Sequence, residues 1–91
     1  MPARVIVYYS SVSGSMPVKK AQTRVQDILA ARKVEFELVD VAADEDAKDF
    51  MQSKSDKNAL PQIFVDGEFV GLHAELEEAN EDGKVAEWLG L

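Results

Sequence analysis

Leu60-Pro61-Gln62-Ile63-Phe64-Val65-Asp66-Gly67-Glu68-Phe69-Val70-Gly71 is the stretch that decides the fold. Gln62–Val65 and Glu68–Val70 are short apolar, strand-forming runs, and Asp66-Gly67 between them is a strong two-residue hairpin signal. A single proline stands where the first of these strands begins, a position that asks no ladder hydrogen bond of it. This segment therefore supplies an antiparallel pair, to which the rest of the chain must be joined.

Upstream, Val5-Ile6-Val7-Tyr8-Tyr9 is a continuous apolar run rich in β-branched residues. It suits a strand covered on both faces of a sheet. Tyr8 and Tyr9 point to opposite faces, one toward the core and one toward the loop that follows. Ser10-Ser11-Val12-Ser13-Gly14-Ser15 reads as that loop, with Ser15 as helix N-cap and Pro17 in the first turn. Val18, Ala21, Val25, Ile28 and Leu29 recur at helical spacing, which predicts an amphipathic helix over 16–33 ending on Arg32-Lys33. Val34–Val39 alternates with period two, so strand, helix and strand form a right-handed, parallel βαβ unit. Asp44-Glu45-Asp46 places acids at the start of a second helix, with Ala47, Phe50 and Met51 as its inner stripe and an end near Ser55. The tail reads as two helical pieces, Ala74–Asn80 and Lys84–Leu89, broken at Asp82-Gly83, with Trp88 packing on the sheet. The order βαβαββα predicts an α/β domain over residues 1–91, a four-stranded mixed sheet flanked by helices.

Composition narrows the chemistry. The 91 residues contain no cysteine, so dithiol exchange, disulfides and thiolate metal sites have no atoms to work with. Net charge is −7, divided unevenly: residues 1–34 sum to +5 and the remainder to −12. An acidic surface of this kind disfavours nucleic acid and anionic lipid. No apolar run approaches the roughly 20 residues of a membrane span, and Met1-Pro2-Ala3-Arg4 carries no signal-peptide pattern. The expectation is a cytoplasmic protein, with the nucleus as a second place open to it.

Several separated segments resemble one family in the same order. Leu60–Gly71 resembles the third and fourth strands of glutaredoxins, and Val34–Val41 resembles their second. The resemblance implies a thioredoxin-like, three-layer fold and a cis bond before Pro61. Where glutaredoxins carry their cysteine, this chain has Ser10-Ser11-Val12-Ser13-Gly14-Ser15-Met16-Pro17. That loop, the long first helix and the missing thiols resemble the Src-homology-3 domain-binding glutamic-acid-rich-like proteins, which implies a redox-inactive interaction or modulator protein. Their polyproline ligand segment has extra prolines, whereas this chain has Asn58-Ala59-Leu60 before Pro61, too little for a PPII stretch.

The same alignment sets out a candidate groove. Its walls are Ser11, Val12, Ser13, Gly14 and Ser15 on one side, Leu60 and Pro61 on the other, and Gly71, Leu72 and His73 at the end. Backbone groups beside Pro61 would pair with an extended peptide by strand addition. Lys19, Lys20 and Arg24 form a basic patch that would steer an acidic ligand. The expected partner is a protein or extended peptide. The alternative is weak binding of glutathione or a small anion at the loop and helix N-terminus, assisting redox chemistry done by another protein. A helix cap and a tight turn at Gly14 account for the same loop residues without a ligand. Glutathione would also need the Gly-Gly-x-Asp loop of glutaredoxins, which falls on Gly71-Leu72-His73-Ala74 and keeps only its first glycine. His73 is the lone histidine, so neither a metal site nor a serine–histidine pair is expected, and no cofactor is.

Overall fold

The computed structural model describes residues 4–91, so the Met1-Pro2-Ala3 lead-in lies outside the described residues. The elements run β1 (Val5–Tyr9), α1 (Met16–Ala31), β2 (Phe36–Asp40), α2 (Glu45–Ser55), β3 (Gln62–Val65), β4 (Glu68–Leu72), α3 (His73–Glu81) and α4 (Val85–Leu89). They form a four-stranded sheet in the order β2-β1-β3-β4. β1 pairs parallel to β2 and antiparallel to β3, and β3 pairs antiparallel to β4. This is the mixed, helix-flanked sheet that the strand order implies.

Two apolar clusters sit on opposite faces. Val5, Val7 and Ile63 face Val25, Ile28 and Leu29 of α1 together with Leu76, Val85 and Leu89 of α3 and α4. Tyr8 and Phe64 face Met51 of α2, with Val41 beside them. Phe64 is fully buried, its ring edge-on to Tyr8 at 4.9 Å and to Phe69 at 5.7 Å between centroids. Burial lifts the Tyr8 phenol above its ordinary pKa of 10.0. Tyr9, on the other face of the strand, is half-buried.

The hairpin is built as its dipeptide demands. Asp66 and Gly67 both have positive φ, 52° and 83°, the pair of values that a type I′ turn requires. The Leu60–Pro61 bond is cis. Ser15 caps α1 by accepting from the Val18 N–H at 3.4 Å, and Asp44 caps α2 by accepting from the Ala47 N–H at 3.0 Å.

Four expectations need correction. α1 stops at Ala31, not at Lys33, because Lys33 adopts a left-handed φ of 58° that turns the chain toward β2. The Arg32 guanidinium does not sit on the end of α1; it donates to the side chain and the carbonyl of Asn80 on α3. Phe50 is 39% exposed although its ring lies 6.0 Å from that of Phe64, so the inner stripe of α2 narrows to Met51 with Ala47 beside it. β2 begins at Phe36, two residues later than its alternation suggests, and as an edge strand it leaves Leu38 42% exposed.

Candidate functional site: a groove beside the serine loop

The register brings the three predicted segments to one end of the sheet. Tyr8 near the end of β1 lies opposite Gln62, the first residue of β3, and Gln62 lies opposite Leu72, the last residue of β4. The serine loop, Leu60-Pro61 and Leu72-His73 therefore leave the sheet at the same end. At that end, a groove of about 550 Å³ joins the loop to α2. Val12, Val41 and Leu60 give it an apolar lining, and Glu45, Lys48, Gln52 and Asn58 give it polar groups, one carboxylate against one ammonium. Val12 is 77% exposed. The Leu60 N–H and carbonyl enter no hydrogen bond among the described residues.

The loop is held from both sides by residues that sequence reasoning did not single out. Gln22, a buried amide on α1, accepts from the Ser10 N–H at 2.8 Å and returns a bond to the Ser10 carbonyl at 3.2 Å. On the other side, Asp40 accepts from the Ser11 N–H at 3.1 Å and from the Ala42 N–H at 3.0 Å. Bonding from the Ser11 side chain and backbone, with a smaller part from Ala42, holds the Asp40 carboxyl below its ordinary pKa of 3.8. A glutamine amid the apolar stripe of α1 was the available signal, since a buried amide must find partners. The α2 residues Lys48 and Gln52 carried no comparable signal.

The floor before β3 is held similarly. Gln62, fully buried, donates its side-chain N–H groups to the carbonyls of Lys57 and Ala59 at 2.9 Å each. Pro61 is fully buried as well.

Other predicted residues take different parts. Gly14 has no positive φ, and a methyl group there would meet nothing within 4 Å, so the loop does not need a glycine for a tight turn. Gly71 and Leu72 belong to β4, and His73 and Ala74 begin α3, so no separate loop stands where glutaredoxins hold the γ-glutamyl group. Gly71 is required for packing instead: a methyl there would lie 2.6 Å from Cζ2 of Trp88. The His73 imidazole lies 3.7 Å from Glu77. Arg24 is drawn out of the basic patch into an ion pair with Glu77 at 2.8 Å, whereas Lys19 and Lys20 remain exposed on α1. The amides of Ser10, Ser11, Val12 and Ser15 all donate within the loop or to its clamps, which removes them from any anion site. Among the described residues no group of three His, Asp or Glu side chains could hold a metal, and no helix is long and apolar enough to cross a membrane.

Comparison with known proteins gives this geometry its relatives. The family model described as SH3-binding, glutamic acid-rich protein matches residues 3–91. The SH3 domain-binding glutamic acid-rich protein homolog of Drosophila melanogaster is 35% identical over 89 residues, covering 82% of this chain and 56% of its own length. The chain thus spans little more than half of that relative. Among solved structures, the C. albicans actin interacting protein 5 is similar with a TM-score of 0.82 and 28% identity, covering 96% of this chain and 88% of that one. Glutaredoxin C1 from Populus tremula x tremuloides is similar with a TM-score of 0.72 and 16% identity, covering 94% and 82%. This last likeness is one of fold: the sheet and its helices are thioredoxin-like.

Proposed function

Because the chain belongs to the SH3-binding, glutamic acid-rich protein family, we propose that it is a non-catalytic, glutaredoxin-like protein-binding module, an adaptor or modulator that holds an extended segment of a partner in the groove between Val12 and Leu60. One observation carries this reading. The groove has an apolar lining and an unpaired Leu60 backbone at the place where a thiol relative would do chemistry, and this chain has no thiol. A backbone donor and acceptor at the mouth of a groove are what an extended ligand pairs with.

The SH3 binding in the family name is not carried over to Pro61. Its ring is fully buried, and a proline that an SH3 domain reads must stand on the surface. Likeness to an actin-interacting protein makes actin the partner to test first, and a cytoplasmic place of work goes with it.

The test is a pair of titrations of the 15N-labelled protein, one with monomeric actin and one with reduced glutathione. Actin should perturb the amides of Val12, Lys48 and Leu60, and millimolar glutathione should leave them in place. Shifts at Ser11–Ser15 and Leu60 caused by glutathione, with none caused by actin, would replace this reading with small-ligand binding. In a thiol–disulfide assay the protein should turn over no faster than buffer.

A further inference from the structure

Val12 and Met16, 77% and 58% exposed, are the two most exposed large hydrophobic residues described; Val12 lies in the serine loop and Met16, four positions on, begins α1. Val12 borders the groove. Met16 borders a second depression, of about 520 Å³, that Lys19, Lys20, Thr23, Arg24 and Asp27 also line. Leu60 and Val12 thus line one depression, and Met16, four residues on from Val12, lines the next together with two ammonium groups. The Gln22 and Asp40 clamps fix Ser10 and Ser11, so the start of the loop that carries Val12 is held before any partner arrives.

The charge of this second depression is unlike that of the rest of the molecule. Arg4 is paired with Glu37 at 2.7 Å, Arg24 with Glu77 at 2.8 Å, and Arg32 is bound to Asn80. Lys19 and Lys20 make no ion pair among the described residues. In a chain of net charge −7, the second depression therefore carries net positive charge, its two unpaired lysines outnumbering the one carboxylate there, Asp27. A basic segment would be drawn instead to the cleft at α3 and α4, where Glu75, Glu78 and Glu87 surround Trp88.

We infer that the partner segment is apolar where it meets Val12 and Leu60 and acidic where it leaves the groove, crossing Met16 to reach Lys19 and Lys20. The inference rests on the groove reading above. Charge at such a rim sets partner choice and association rate more than it sets folding stability.

A displayed library of random peptides, selected on the immobilised full chain, tests it. Enriched peptides should join apolar residues to an acidic cluster, shift the amides of Val12, Leu60, Lys19 and Lys20, and bind more weakly as salt rises. Reversing both charges with Lys19→Glu and Lys20→Glu should weaken them about tenfold, whereas Lys19→Arg with Lys20→Arg should not. Both variants should keep the melting temperature. Peptides that shift Val12 and Leu60 without acidic preference, and that ignore the double reversal, overturn the inference and leave the groove reading standing. Basic peptides mapping to Glu75, Glu78 and Glu87, or no enrichment at the groove, overturn both.

Discussion

The side chain of Gln22 pairs with both backbone groups of Ser10, accepting from its N–H at 2.8 Å and donating to its carbonyl at 3.2 Å. An amide side chain here does what a neighbouring strand would do, and it does so where the sheet ends and the loop begins. The loop that flanks the groove thereby inherits the rigidity of α1.

Replacing Gln22 with leucine would remove both bonds and leave the Ser10 groups facing an apolar side chain. The expected cost is about 1–3 kcal/mol of stability, read by denaturant unfolding, with faster amide exchange at Ser10. Gln22→Glu retains the acceptor for the Ser10 N–H but loses the donor to its carbonyl, so it should protect that amide better than leucine does.

Gly71→Ala should destabilise the protein by about 1–3 kcal/mol through overpacking. Its new methyl would lie 2.6 Å from the Trp88 ring. Trp88 is the only tryptophan, so its fluorescence reports the displacement directly. Combining the change with Trp88→Leu should cost less than the sum of the two single changes.

The Asp40 carboxyl titrates below its ordinary value of 3.8 because Ser11 and then Ala42 hydrogen-bond to its charged form. A depressed carboxylate pKa contributes stability that is present above the unfolded value and lost as pH falls through the folded one. The Ser11 amide resonance should therefore move at a pH below 3.8, and in Asp40→Asn that transition should vanish from Ser11.

Phe64→Ala should cost about 3–5 kcal/mol. The fully buried ring contacts Tyr8, Phe50 and Phe69 at once, and chemical denaturation would measure the loss.

Phe50 and Gly14 show where a one-dimensional reading stops. Helical spacing puts Phe50 beside Met51 on an inner stripe, yet only a stack of elements decides how wide that stripe must be, and α2 covers the sheet narrowly enough to leave Phe50 at the rim. Gly14 sits among serines where a tight turn is the natural expectation, but Ser13 and Ser15 side chains shape the loop and its backbone stays in the ordinary region.

By itself the sequence determined the elements, their order and the absence of thiol chemistry. Period-two and helical spacing, the Ser15 and Asp44 caps and the Asp66-Gly67 turn are local signals, settled by contacts within about four residues. Only the tertiary structure decided what flanks the groove and which charges near it are unpaired. Ser10 finds Gln22 across 12 residues, Ser11 finds Asp40 across 29, and Arg24 finds Glu77 across 53. Such partners are chosen by how helices seat on the two faces of a sheet, and no periodicity along the chain encodes that distance.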